Sequence, residues 1–171
     1  MYSHVYEYYR SRFRYDKDTG LMYRTGGKYD ARLQNAKDHR GYIKVFIAGR
    51  SRLSHRIIWS MFYDEPAPEM IDHKNGLHAD NRIENLRAAT NSTNMMNRNV
   101  NCNKKYGLPK GVSKTKDNKP YCALIWQNNK RTWLGSYHTV DEAARRYNEE
   151  AIKRYGEFAR LNVIAQDEVK R

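Results

Sequence analysis

Residues 71–76 read Ile-Asp-His-Lys-Asn-Gly, residues 80–87 read Asp-Asn-Arg-Ile-Glu-Asn-Leu-Arg, and residues 90–97 read Thr-Asn-Ser-Thr-Asn-Met-Met-Asn. Asp72 and His73 are adjacent, so on an extended strand their side chains point to opposite sides. They can serve one site only where the strand ends, and Asn75-Gly76 supplies such a turn. A short helix is expected after Thr90, and it would carry Asn94. Taken alone, an Asp-His pair also fits an exposed turn, and an Asn-rich stretch also fits solvated loops and caps.

These residue types suit phosphodiester hydrolysis. The attacking water must lose a proton, and an imidazole neutral near pH 7 can take it. The leaving 3′-oxygen and the phosphate need a cation, which one carboxylate and one neutral oxygen ligand can hold. The imidazole must keep one tautomer, which an amide can fix by hydrogen bonding.

Upstream, Arg12 to Arg24 places two aromatic runs around Asp18-Thr19-Gly20, the pattern of a hairpin. Ile43, Val45 and Ile47 alternate with Lys44 and Phe46, which predicts a strand over 41–47 with a turn at Ala48-Gly49-Arg50. Ser54 is the expected N-cap of a helix from His55 to Tyr63, with Ile57, Ile58, Met61 and Phe62 inward and Pro66 and Pro68 beyond its end. His55 reads as a buried hydrogen-bonding histidine or as a group behind the site, and His78 as an exposed loop residue.

Downstream, six Asn fall between 91 and 103, and Lys104, Lys105, Gly107 and Pro109 follow. We expect domains at 1–98 and 110–171, joined by a basic linker at 99–109. In the second domain, 111–115, 121–126 and 131–136 read as strands, with turns at Asp117-Asn118 and Asn128-Asn129, residues that tolerate positive φ. A helix follows, with Thr139 and Glu142 as a capping box. Ala143, Tyr147, Ala151 and Tyr155 face inward, Glu149/Lys153 and Glu150/Arg154 pair outside, and Gly156 ends it. Strand 121–126 is apolar on both faces, so periodicity leaves open which face meets the helix. The tryptophans Trp126 and Trp133 are either core or, with Arg131, a surface that grips a phosphate backbone.

The chain has 171 residues, 32 Lys+Arg and 19 Asp+Glu, a formal charge of +13. Residues 1–109 hold 19 basic and 11 acidic groups, or +8, and residues 110–171 hold 13 and 8, or +5. A polyanion, foremost nucleic acid, is the partner such a balance favours, although a basic surface also serves solubility. The 39% apolar fraction, rich in Tyr, is lean for one large core. No apolar run is long enough to span a membrane, and the N-terminus lacks a secretory signal. Cys102 and Cys122 are too few for a disulfide framework or a four-Cys zinc site, so an intracellular setting is expected.

The run Asp72-His73-x-Asn75-Gly76, Asp80-Asn81-Arg82-Ile83-x-Asn85-Leu86-Arg87, Asn91-x-x-Asn94, preceded by His55-Arg56-Ile57-Ile58-Trp59, resembles the HNH endonucleases, above all their phage and intron-associated homing branch. The likeness covers residues 40–98. It implies an α+β chain with a ββα-metal fold, in which the strand ending at His73 and one near Leu86 to Ala89 pack on the helix after Thr90. By that likeness His73 is the general base, Asn85 orients it, and Asp72 and Asn94 hold one divalent cation. Many such enzymes have His where this chain has Asn94. An amide suits a hard cation, so Mg²⁺ or Mn²⁺ is expected and zinc is not. Two roles are open to Arg82 and Arg87: contacting phosphate, or bracing the loop through acidic neighbours.

Lys110-Gly111-Val112, Ala123-Leu124-Ile125, Trp133 to Tyr137, Asp141 to Tyr147 and Gly156 to Asn162 resemble the DNA-binding domain of plant ethylene-response factors, copies of which occur fused to HNH nucleases. That family lays a three-stranded sheet in the major groove with its helix behind. The likeness implies DNA contacts at Lys110, Trp126, Arg131, Trp133 and Tyr147. Ser113 and Thr115 replace the family's strand-one arginines. Lys114 and Lys116 lie nearby, but lysine is a point charge and not a bidentate fork. Leu124 and Trp126 replace a charged pair.

The expected function is therefore a DNA endonuclease acting on double-stranded DNA, with no membrane partner and no small-molecule cofactor. A monomer with one site would nick, and a dimer is what double-strand cutting requires. The rival functions are a DNA-binding regulator with an inactive site and a nuclease or binding protein directed to RNA.

Overall fold

The structure, a computed structural model, describes residues 3–26, 36–97 and 107–164. The chain divides into two compact units, Met1–Thr90 and Asn91–Arg171. Most of the expected linker, 99–106, lies outside the described residues, and the division comes ahead of it.

The first unit opens with helix α1 (Ser3–Arg12) and the hairpin of β1 (Phe13–Asp16) and β2 (Leu21–Arg24). Asp16 Oδ1 accepts from the backbone N–H of Asp18 at 3.0 Å and of Thr19 at 3.3 Å, an aspartate turn that closes the hairpin at the expected place. Next come β3 (Ala36–Lys37), β4 (Ile43–Ile47) and β5 (Arg50–Leu53), an antiparallel sheet in the order β3-β4-β5. Ala48 and Gly49 adopt φ of 48° and 73°, the tight turn expected between β4 and β5.

Helix α2 (Ser54–Tyr63) follows directly. Ser54 is not its cap. The N-cap is Leu53, with no side-chain bond, and the buried Ser54 hydroxyl lies 3.1 Å from Met22 Sδ. Ile57 and Ile58 are buried as expected, but Phe62 is half exposed and Trp59 takes the inward place. The helix stops at Tyr63 because Asp64 turns left-handed, φ 59°, ahead of the prolines. β6 (Met70–His73) and β7 (Leu86–Ala89) then pair antiparallel, with Asp72 opposite Arg87 and His73 opposite Leu86.

Phe13, Met22, Val45, Ile47, Ile57, Ile58, Trp59, Ile71 and Leu86 form one apolar cluster. It ties the hairpin, the sheet and α2 to the two strands of the motif. Each such fully buried side chain contributes about 1.5–3 kcal/mol of transfer free energy. The cluster therefore fixes the position of the strand that carries Asp72 and His73.

The second unit begins with α3 (Asn91–Asn97) and continues as β8 (Val112–Lys114), β9 (Tyr121–Gln127), β10 (Lys130–Tyr137) and α4 (Val140–Tyr155). The sheet is antiparallel in the order β10-β9-β8. Asn128 and Asn129 take φ of 50° and 60°, as that turn requires. The Asp117-Asn118 connection is different. Neither residue has positive φ, and the loop closes through Thr115, whose N–H donates to Pro120 O at 2.9 Å and whose hydroxyl donates to Lys119 O at 2.8 Å.

Thr139 and Glu142 form the expected capping box. Ala143, Tyr147, Ala151 and Tyr155 are all buried, and Gly156 caps the end at φ 54°. Arg154 pairs with Glu150 at 2.7 Å, while Glu149 meets Arg146 at 3.6 Å in place of Lys153. The face of β9 carrying Ala123 and Ile125 meets α4, which settles the orientation that periodicity left open. Among the described residues no helix is long and apolar enough to cross a membrane.

Candidate functional site

His73 is the last residue of β6, and the chain turns immediately after it. Gly76 N–H donates to His73 O at 2.8 Å, and Gly76 itself has φ 73°. The turn lets adjacent side chains leave the strand in different directions and still belong to one locality. Asp72 and His73 are 4% and 2% exposed, so both are covered.

The amide that meets the imidazole belongs to Asn81, not to Asn85. Asn81 Oδ1 lies 3.0 Å from His73 Nε2, and Asn81 is wholly buried. An amide oxygen accepts only, so Nε2 carries the proton and the proton-accepting lone pair falls on Nδ1. Burial pushes the His73 pKa below its ordinary value, against a smaller opposing effect of the Asn81 bond. The ring is thus neutral near pH 7, the form a general base requires.

Asn85 holds the turn around the site. Its Oδ1 accepts from Asn75 N–H at 3.0 Å, and its Nδ2 donates to Asp80 O at 2.8 Å and to Asn75 Oδ1 at 3.1 Å. Nothing in the spacing separates Asn81 from Asn85, since both are asparagines of the one segment between β6 and β7. The difference lies in which one the loop folds inward.

Three further rings surround His73. His55 meets it edge-on with centroids 5.2 Å apart, Tyr42 lies at 5.8 Å, and His78 at 5.8 Å. His78 is not a free loop residue. It stacks on Tyr42 at 4.1 Å and 6°, and its Nδ1 lies 2.7 Å from Arg40 O. His55 is buried, with Nδ1 lacking a hydrogen-bond partner among the described residues, and burial pulls its pKa down to about 3.

Both candidate arginines brace acidic neighbours. Arg87 donates to Asp72 Oδ2 through Nε at 2.9 Å and Nη2 at 2.7 Å, and both side chains are nearly covered. Arg82 clasps Asp80 through Nε at 2.9 Å and Nη2 at 2.8 Å, and reaches Glu84 at 3.2 Å. The Arg82 bonds hold Asp80 ionised down to a pKa of about 2. Lys74, Asn75, Arg82, Glu84 and Asn85 line an open groove on this unit.

Of the expected metal pair, Asp72 belongs to the unit that carries His73, and Asn94 is a half-buried residue of α3 in the second unit. One carboxylate with one amide is an all-oxygen donor set, which fits a hard divalent cation. Among the described residues no group of three or more His, Cys, Asp and Glu is placed to hold a metal.

In the second unit, Trp126 is 59% exposed and Trp133 is 53% exposed. Arg131 stands opposite Trp126 and Trp133 opposite Leu124 across β9 and β10, so these four side chains share the face turned away from α4. The core alternative for the two tryptophans is therefore excluded. Lys114 and Lys116 are exposed beside that sheet.

Two candidates leave the surface set. Tyr147 is 2% exposed and packs so closely under Gly111 that a Cβ there would lie 2.0 Å from its ring. Lys110 is half-buried, and its ammonium donates to Met96 O.

Residues 52–96 match the family model described as HNH endonuclease. The chain is 32% identical over 126 residues to an uncharacterized HNH endonuclease of Acanthamoeba polyphaga mimivirus, an alignment that covers 72% of this chain and 64% of the relative. No solved structure matches.

Proposed function

We propose that this chain, which carries an HNH endonuclease segment at residues 52–96, is a divalent-metal-dependent endonuclease that hydrolyses phosphodiester bonds of double-stranded DNA. The observation that carries the reading is the His73–Asn81 pair beside Asp72: a neutral imidazole in one tautomer next to a buried carboxylate. His73 Nδ1 takes the proton from water as the oxygen attacks phosphorus and the bond to the 3′-oxygen breaks. Asn81 keeps the opposite nitrogen protonated throughout. Asp72 and Asn94 are the residues to hold Mg²⁺ or Mn²⁺, which when bound offsets the charge on the phosphate and the leaving oxygen. In this reading the two strands β6 and β7 and the helix α3 are the parts of a ββα-metal fold.

The second unit, in the same reading, is an ethylene-response-factor-like domain that sets the enzyme on its DNA through Arg131, Trp126 and Trp133, with Lys114 and Lys116 adding charge. One site per chain makes the monomer a nicking enzyme, with double-strand breaks requiring two copies. A homing role in a phage or other mobile element inside a host cell follows by analogy of architecture, and the viral relative supports it.

A second reading, a DNA-binding regulator whose site does not cut, draws on two observations. Arg87 already neutralises Asp72, and His73 is almost covered. Supercoiled plasmid carrying a phage-DNA library separates the two, incubated with Mg²⁺, Mn²⁺ or EDTA beside a His73→Ala variant. We expect nicked or linear product that needs both the metal and His73, with binding nearly unchanged in the variant. Tight, salt-sensitive binding with no cleavage in any metal would establish the regulator instead.

A further inference from the structure

The loop that delivers Asn81 to His73 is held from outside the matched segment. Tyr15, on β1, donates its hydroxyl to Asn81 O at 3.2 Å and accepts from Ile83 N–H at 2.8 Å. One phenol oxygen thus pins the backbone on both sides of Arg82. At the hairpin turn, Gly20 lies against the same stretch. A Cβ built there would sit 2.5 Å from Arg82 N and 2.8 Å from Asn81 C, at a φ of 72° that already disfavours any side chain. The hairpin is itself anchored, because Phe13 and Met22 are each 2% exposed within the core.

We propose that the β1–β2 hairpin is a positioning device for the base, in which Tyr15 and Gly20 clamp the Asn81–Ile83 backbone and so fix the tautomer and orientation of His73. In this proposal Tyr15 and Gly20 act through Asn81, whose backbone they hold. Burial raises the Tyr15 phenol pKa, which keeps the hydroxyl able to donate at neutral pH. The inference rests on His73 being the base, but the clamp itself is a statement about the free protein. It also makes the working catalytic unit longer than residues 52–96, since both clamp residues precede that stretch.

The test uses the full chain with Tyr15→Phe, Gly20→Ala and, as a control on the same hairpin, Tyr23→Phe. The first readout is ¹⁵N NMR of the His73 ring at neutral pH, without DNA or metal. Wild type and Tyr23→Phe should show Nε2 protonated, whereas Tyr15→Phe and Gly20→Ala should show both tautomers. The second readout is plasmid cleavage, where kcat should fall roughly ten- to a hundredfold in the two clamp variants with KM little changed. Tyr15→Phe removes a single oxygen, so it keeps the proposal testable if Gly20→Ala does not fold. Unchanged ring signals in a folded Tyr15→Phe chain would overturn the clamp, whatever the cleavage rate. A wild type that cuts nothing, with the tautomer shift present in Tyr15→Phe, would uphold the clamp and overturn the nuclease reading alone.

Discussion

In the first unit the groups that matter are turned inward: Asp72, His73, Asn81 and Arg87 are each no more than 9% exposed. In the second unit the corresponding candidates are turned outward, with Trp126 and Trp133 more than half exposed beside Arg131. The difference separates two tasks. In the proposed reading an imidazole base must be held in one tautomer by a hydrogen bond and in one orientation by the neighbours that bury it. In the same reading a surface that meets a DNA duplex must leave its rings and charges accessible, and a sheet backed on its other face by a helix can do so. The burial of the first unit then serves preorganisation, and the open face of the second serves as a platform.

Removing a partner from the inward unit should have the largest effect on stability. Arg87→Met leaves the Asp72 carboxylate buried without its guanidinium, and breaking such a pair typically costs about 3–5 kcal/mol. Denaturant unfolding should show that loss, and adding Asp72→Asn to the same chain should recover much of it. If Arg87→Met unfolds like wild type, Asp72 is not held by this pair, and the inward picture of the site breaks.

The buried histidines make the same contrast visible in pH. His55 has a pKa of about 3 in the folded chain against 6.5 when free, so the unfolded chain binds its proton first as pH falls. The sign follows: this contribution is complete above about pH 6.5 and is lost progressively toward pH 3, at about 1.4 kcal/mol per pH unit. Burial is the main cause, and the charges of His73, Arg56 and His78 add to it. A His55→Phe chain should lose stability less steeply over that window. Equal slopes in the two chains would mean that His55 is charged in the native protein.

What the sequence disclosed follows the range of each interaction. Turn residues, the capping box at Thr139 and Glu142, and the inward row of α4 were legible because their causes lie within a few residues. Asp72 and His73 stood out through their motif. Asn81 did not, because its role depends on a loop pinned by Tyr15, 66 positions away. Ser54 departs from its expected role for the same reason. It has the chemistry of a cap, but Met22 draws its hydroxyl into the core. The tryptophan face was undecidable from β9 alone, since both of its faces are apolar, and α4 decides it through Tyr147 and Ala151.

On the outward unit, single substitutions should move binding rather than folding. Trp126→Ala and Trp133→Ala should each weaken duplex binding about tenfold, or roughly 1.4 kcal/mol, and leave thermal unfolding unchanged. Arg131→Ala should instead lower the slope of binding against salt, by about one counterion. If the tryptophan variants unfold early yet bind normally, the rings serve structure and the platform reading fails.

The smallest effect tests whether the two units are separate folding bodies at all. Thr139 Oγ1 accepts from Glu142 N–H at 3.2 Å, and Glu142 Oε2 accepts from Thr139 N–H at 3.1 Å. Thr139→Ala removes one half of that exchange at the start of α4, at a cost of about 1 kcal/mol. Helix α4 backs the tryptophan-bearing sheet of the second unit. Its loss should therefore appear in hydrogen exchange of the second unit alone, with the amides of Val45, Ile58 and Ile71 exchanging as in wild type. If those amides loosen by the same amount, the units unfold as one, and the contrast between an inward-turned and an outward-turned set of candidate groups describes two faces of one cooperative structure.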